Sequence, residues 1–252
     1  MNRKKQTVLV GITGGVASTV AAYLLKKQNW NVIGLGVLLG SRKKIMIDDF
    51  IASKDSQDLP SDLIESELKD IEKAAKVCQE LDIPFYASDA SSEYRDYIYD
   101  YLLASRLAGR RCPVHVLSHR LVVETLQKKA NILEANFVST GHFAKLQTVH
   151  EKTEKVIAVS NDGEFDQSFL LSRLPQRLIQ NLILPLSDMK MGDVKKIGET
   201  LGDFIVDSPT VKNVIDHPRL SRVVDHSKPQ YLKKPGEVIE HIADSMICEH
   251  EG

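Results

Sequence analysis

The chain is 252 residues long, with 42% hydrophobic and 27% charged side chains, proportions that fit a folded globular protein and exclude a disordered or fibrous one. Its 33 basic and 34 acidic residues leave a formal net charge of −1, so no overall positive field holds nucleic acid non-specifically, and cationic character is confined to local stretches such as Asn2–Lys5, Ser41–Lys44 and Ala108–Arg120. Cys78, Cys112 and Cys248 are odd in number and widely spaced, which fits thiols in a reducing compartment better than a disulfide framework.

In chain order, the start MNRKKQTVLVGI is basic and then only briefly apolar, so it reads as a first strand rather than a secretory signal. No stretch approaches the roughly 18 consecutive apolar residues of a membrane span, and a cytoplasmic location is expected. Thr7–Ile12 reads as a strand. Ala17–Gln28 places Val20, Tyr23, Leu24 and Lys27 at helical spacing, and Trp30–Leu39 is a second strand. A βαβ unit of this size has a right-handed crossover and parallel strands, which predicts a doubly wound α/β fold with a mainly parallel sheet. Residues Gly40–Leu63 lack periodicity and read as a mobile surface segment. From Glu67 the spacing of Leu68, Ile71, Ala75 and Cys78 predicts a helix, which makes Cys78 a small core residue, and Pro84 leads into a strand at Phe85–Asp89.

Glu93–Gly109 reads as a helix ended by glycine, Val116–Ala135 as another, and Phe137–Thr140 as a strand followed by a turn at Gly141. Ala144–Val149 and Lys155–Ser160 alternate around a charged turn and predict a β-hairpin near residues 144–160. Asp166–Pro175 and Met191–Gly202 are two further helical patterns. Beyond Asp207 come Pro209, Pro218, Pro229, Pro235 and one helical stretch, Gly236–Ile247, so residues 208–252 read as a tail or small appendage to a domain spanning 1–207. There is no internal repeat.

The turn Gly11–Ser18, GITGGVAS, holds three glycines and two hydroxyls between the first strand and the start of a helix. Glycine lets backbone amides approach a ligand, and the first helical turn adds unpaired donors and positive dipole, so such a turn favours phosphate. The plainer alternative is a tight strand-to-helix turn with no ligand. No Gly-Lys-Ser/Thr follows and the G-x-G-x-x-G spacing is absent, so the turn is neither a Walker A loop nor a dinucleotide fingerprint. It resembles the S-G-G-x-D-S loop of enzymes that cleave ATP between its α and β phosphates, with Ala17 at the aspartate.

Other segments extend that resemblance. Those from Val8–Leu35, Asp70–Asp89, Ser139–Leu146, Asp166–Gln176 and Leu182–Gly202 follow the order and spacing of the tRNA-specific 2-thiouridylases, PP-loop ATP pyrophosphatases. The sequence resembles that family from about Thr7 to Asp207, as a truncated and diverged member, and the resemblance implies a Rossmann-like adenine-nucleotide hydrolase fold. It further implies that ATP with Mg2+ adenylates the 2-carbonyl oxygen of a tRNA uridine, after which a cysteine persulfide delivers sulfur. Gly11, Ile12, Thr13, Gly14, Gly15, Val16, Ala17 and Ser18 would then form the ATP loop. Val37 would lie against the adenine and Gly141 near the nucleotide, while Phe165, Asp166 and Gln167 fall where the family has a Lys-Asp-Gln contact to tRNA.

The departures fall on the chemistry. PVHVLSHR puts Ser118 at the family's first catalytic cysteine and His119 at the asparagine after it, and the second cysteine's place, near Ile215, holds no cysteine. The 45 residues from 208 to 252 are too few for the family's central region and C-terminal barrel. A carboxylate in this loop helps to hold metal–pyrophosphate, so Ala17 should weaken ATP cleavage more than adenosine binding. Cys112 is a candidate displaced thiol, although one thiol needs an external reductant or partner thiol for the second step. Cys112, His115 and His119 share a face if helical but lack a fourth ligand, so no metal site is assigned. His142 could meet phosphate or simply cap its strand. Arg110, Arg111 and Arg120 are either a cationic patch for RNA or a solvated surface. Two functions remain open: an ATP-dependent tRNA 2-thiouridylase-like enzyme, with tRNA and a sulfur-donor protein as candidate partners, or a silent nucleotide-binding module that senses ATP or AMP or partners an active enzyme.

Overall fold

The computed structural model describes residues 5–39, 62–108, 110, 112–149, 154–202, 236–240 and 245–250. Most of the segment expected to be mobile, residues 40–61, lies outside them, as do Gly109, Arg111, the late prolines and Ile215.

Strand β1 (Thr7–Gly11) is apolar at three successive positions, and Val8, Leu9 and Val10 are all fully buried. An apolar run without alternation is what a strand covered on both faces requires. Helix α1 (Val16–Lys27) follows, then β2 (Asn31–Leu38), α2 (Asp62–Glu80) and β3 (Phe85–Asp89). A short α3 (Ser91–Tyr94) passes through a π-helical turn at Arg95–Tyr99 into α4 (Asp100–Leu107), where a single helix was expected. Tyr94, Ile98 and Leu102 recur every four residues and are buried against Val114 and Leu121 of α5 (Val114–Ile132). Then come β4 (Phe137–Ser139), the hairpin strands β5 (Lys145–Thr148) and β6 (Lys155–Ala158), a 3-10 turn at Ser168–Leu171, α6 (Gln176–Ile179), β7 (Leu182–Ile183) and α7 (Met191–Leu201). The helical pattern expected over Asp166–Pro175 is therefore a single 3-10 turn bounded by turns.

The main sheet has the order β3-β2-β1-β4-β7 and is parallel throughout, so the fold is the doubly wound α/β class. Leu9 pairs with Ile33 on one side and Val138 on the other. One face packs Leu9, Leu35, Val138 and Leu182 against Val123, Leu126 and Ala130 of α5 and against Leu178 and Ile179 of α6. The other packs Val8, Val10 and Val32 against Ala22 and Leu25 of α1, Ala74, Val77 and Cys78 of α2, and Leu81 just beyond it. Of the expected stripe, Cys78 is fully buried and Ile71 and Ala75 are half-buried, and Ala74 and Val77 join them as buried positions of α2. Cys78 is fully buried, as expected, and burial pushes its thiol up to about 12.

The late stretch expected to be helical is a hairpin instead. Strands β8 (Gly236–Glu240) and β9 (Ser245–His250) pair antiparallel, with a register shift between Val238 and Ile239. Short β-branched runs such as Val238-Ile239 satisfy helical and strand spacing equally, and here local pairing decides.

At the carboxyl end of β4, the Ser139 hydroxyl is buried without a hydrogen-bond partner among the described residues. Removing a buried polar group that has no partner relieves a desolvation cost. Ser139→Ala is expected to leave stability unchanged or to raise it by up to about 1 kcal/mol in urea unfolding. A loss of that size would reveal a water bound to the hydroxyl.

Candidate functional site

The strand order reverses between β1 and β4, and in open parallel sheets the crevice beyond such a reversal is where ligands lie. Two loops meet there: Ile12–Gly15 after β1 and Thr140–Phe143 after β4. Their contact is backbone against backbone. A Cβ on Gly141 would lie 2.6 Å from the Ser18 amide nitrogen and 2.7 Å from the Ala17 carbonyl carbon, so only glycine fits. Gly141 therefore packs against the first turn of α1.

Within the first loop Gly14 is buried with φ +77, a backbone conformation that suits glycine. The Ser18 hydroxyl donates to the Gly15 carbonyl at 3.1 Å, accepts from the Thr13 amide at 3.2 Å and lies 3.1 Å from the Thr13 hydroxyl. Thr19 adds a bond to the same carbonyl at 2.8 Å. Ser18 is thus the internal brace of the loop, while Thr13 is exposed. No side chain caps α1, whose N-cap is Gly15, so its first-turn amides and dipole suit an anion. Ile12 is core, its amide bound to the Leu35 carbonyl at 2.9 Å, and Val16 and Ala17 are half-buried against the α1–α7 cluster. Val37, near the end of β2, is half-buried beside the same crevice's sheet. Gly11 closes β1, where a Cβ would press on Leu126 at 3.2 Å.

Magnesium finds no carboxylate in Gly11–Ser18, and among the described residues no group of three or more His, Cys, Asp or Glu comes together. The donors of this loop fit a phosphate, and they do not fit a metal held by the protein.

The loop after β4 is held from two further directions. Phe143 donates its amide to the Gln167 side chain at 3.0 Å, and its carbonyl accepts from the Gln167 amide at 2.8 Å. His142 is bonded through Nδ1 to the Thr140 hydroxyl at 2.8 Å and through Nε2 to His119 Nδ1 at 2.7 Å. Both ring nitrogens are used, so His142 has none left for a phosphate. Burial, and secondarily His115, lowers the His119 pKa to about 4; burial, and secondarily His119, lowers that of His142 to about 3. The pair is neutral at neutral pH, so one ring N–H donates to the unprotonated nitrogen of the other. His119 thereby commits its Nδ1 to His142.

Ser118, expected from the resemblance to stand at the first catalytic cysteine, donates its hydroxyl to the Val114 carbonyl at 2.8 Å on its own helix. Cys112 is a half-buried thiol that packs, as Leu39 and Leu117 do, against the Tyr94–Ile98–Leu102–Val114–Leu121 cluster, next to the N-cap Pro113 of α5. Arg110 is exposed, Arg111 lies outside the described residues, and Arg120 is paired with Glu124 at 3.2 Å, which also holds Arg177 at 3.0 Å. Phe165 is 40% exposed. Asp166 turns inward: burial raises its pKa, but bonds from the Ser168 hydroxyl and the Ser160 and Ser168 amides outweigh this and hold the carboxyl below its usual range. The structure thus gathers the glycine loop, Gly141 and Gln167 into one assembly, with Phe165 and Arg110 as exposed outliers. The His119–His142–Thr140 chain escaped the sequence reading as a unit, since nothing in single positions marks a pairing made by topology.

A family model described as the tRNA methyl transferase HUP domain matches residues 6–210. The chain belongs to this family. Among curated relatives, it is 32% identical over 199 residues to the tRNA-specific 2-thiouridylase MnmA of Mycoplasmopsis synoviae, covering 78% of this chain and 50% of that protein. It is 34% identical over 196 residues to MnmA 2 of Thermoanaerobacter sp., covering 77% and 50%. This family member spans about half the length of the curated relatives it matches. A solved structure, the predicted subunit of a tRNA methyltransferase from Methanocaldococcus jannaschii, overlays with a TM-score of 0.45 at 14% identity, over 77% of this chain and 74% of that one, too loosely for anything to rest on it. Among the described residues, no helix is long and apolar enough to cross a membrane.

The histidine pair sets a pH dependence. Both folded-state values lie below the unfolded value near 6.5, so the unfolded chain takes up protons first as the pH falls. Their contribution is complete above about pH 6.5 and is lost toward pH 4 and 3. Unfolding free energies from urea titrations should be level from pH 7.5 to about 6.5 and then fall by on the order of 1 kcal/mol per pH unit for each imidazole down to pH 5, and His119→Gln should flatten that slope. A free energy that stays level over the whole interval would mean that the pair is open to water. Gly141→Ala is expected to cost about 1–3 kcal/mol, because the methyl group meets backbone that cannot swing aside; unchanged stability would contradict the close packing of the two loops.

Proposed function

We propose that this chain binds ATP between the ends of β1 and β4, in the cytoplasm, as a 2-thiouridylase-like protein whose partner is tRNA. On this reading it is a nucleotide-binding module, and its own side chains do not carry sulfur. The observation behind this is a division within the site. The loop keeps a left-handed Gly14 and an uncapped α1, the features that suit phosphate. Ala17 and Ser118 stand where the resembled family has its carboxylate and first thiol, and the Ser118 hydroxyl is turned onto Val114. Gly11–Ser18 and Gly141 would surround the phosphates, with Val37 against the adenine. Phe165 and Arg110 would face the RNA over a turn shaped by Asp166 and Gln167. Any thiolation of that tRNA would be carried out by a partner protein.

A second reading, retained adenylation with Cys112 as the thiol, has the half-buried position of Cys112 beside the start of α5 in its favour. Incubation with ATP, magnesium and bulk tRNA, followed by chromatography for AMP and pyrophosphate, separates the two. The module predicts bound ATP, no pyrophosphate above the protein-free control, and pyrophosphate formation gained in Ala17→Asp. Pyrophosphate that appears only with tRNA in the wild type would establish retained adenylation and rule out the silent module. Absence of ATP and AMP binding in calorimetry would sink both.

A further inference from the structure

Between Gly11 and Ser18 the phosphate loop carries no charged side chain of either sign. Backbone amides and a helix dipole supply only partial charges, whereas a nucleoside triphosphate brings several full negative ones. Elsewhere such a tail is accompanied by a divalent ion held through a carboxylate, and Ala17 removes that option here. Some other charge has to reach the tail if the loop is to hold it.

Helix α2 crosses directly over the loop. A Cβ on Gly14 would lie 2.7 Å from the Lys73 Cβ, 3.2 Å from the Lys73 carbonyl carbon and 3.2 Å from the Ala74 amide nitrogen. Lys73 is therefore rooted against the turn in which Gly14 takes its left-handed conformation, beside the exposed Thr13. Its ammonium pairs with Asp70 of the same helix at 3.2 Å, with the two side chains 37% and 53% exposed. An exposed i,i+3 pair of this kind is weak and readily exchanged. The lysine stem is flexible and carries three donors, and a polyphosphate in the loop competes with Asp70 as a far denser acceptor.

We infer that Lys73 leaves Asp70 for the phosphate tail of the bound nucleotide and neutralises it in place of a carboxylate-held magnesium, so that this site takes a nucleoside triphosphate without the divalent ion. The inference rests on the reading of Gly11–Ser18 as a nucleotide loop. It assigns Lys73 the recognition of the β and γ phosphates and gives it no part in holding the adenosine. It also makes Ala17 and Lys73 a matched pair, one removing the metal's anchor and the other supplying the missing positive charge.

The test is isothermal titration of the full chain with ATP, AMP and inorganic pyrophosphate, each in excess magnesium and in EDTA, for the wild type, Lys73→Gln and Lys73→Arg. Expected are wild-type ATP affinities within a few-fold of one another in the two conditions. Lys73→Gln should lose about tenfold or more for ATP and pyrophosphate in EDTA, the scale of one charge-assisted contact, while AMP changes little and Lys73→Arg retains most of the wild-type affinity. Circular dichroism and the urea midpoint of Lys73→Gln check that the fold is intact. A wild type that binds ATP only with magnesium overturns the inference, as does a Lys73→Gln variant with unchanged ATP affinity in EDTA. If the wild type binds neither ATP nor AMP in either condition, the nucleotide reading fails and the inference falls with it. AMP binding without any gain from the β and γ phosphates overturns the inference alone.

Discussion

The contact on which the rest of the site depends is the seat of Gly141 on the first turn of α1. There the ends of β1 and β4 are brought together at a distance that a single methyl group would open. Each strand is fixed below by a parallel ladder and a buried apolar face. The crevice above them inherits that rigidity only because its two loops touch directly. Gln167 clasps Phe143 and the imidazole pair clasps His142, so the second loop is held by groups from the segment before the 3-10 turn and from α5. A site built this way is shaped before any ligand arrives, which is what backbone-mediated phosphate recognition needs.

That arrangement leaves room for side chains to vary while the scaffold is kept. Ala17 and Ser118 each sit in it without disturbing the glycine backbone or the packing of α1. Ser118 finds an acceptor on its own helix, and Ala17 joins the half-buried apolar surface against α7. Neither leaves an orphaned polar group, so the fold has no energetic objection to either residue. The same economy appears at Arg120 and Arg177, which share Glu124 and so tie α5 to α6 rather than project a cationic field.

How much was legible in the sequence follows the range of the forces involved. The βαβ start was readable because Val8–Val10 and the spacing of Val20 and Leu24 each speak for one periodicity over enough residues. The glycine loop was readable because its glycines and hydroxyls are local. Three features were not. The segment from Gly236 was ambiguous, since short β-branched runs fit two periods, and pairing with β9 settles it. The burial of Ala74 and Val77 on α2 depends on how the helix lies across β1, β2 and α1, which spacing within the helix does not fix. The His119–His142 bond needs β4 and α5 to be placed first, and no single-position signal foretells it.

The deep burial of Cys78 has a consequence of a different kind. Its sulfur fills the space that a Cβ on Gly34 would need, so α2 and β2 are in contact through a thiol that is almost never a thiolate at neutral pH. Such a group is silent toward electrophiles until the helix lifts from the sheet, while the half-buried Cys112 is not shielded in the same way. Slow alkylation of Cys78 therefore works as an internal clock, counting the openings of the α2–β2 layer in a protein that is otherwise native.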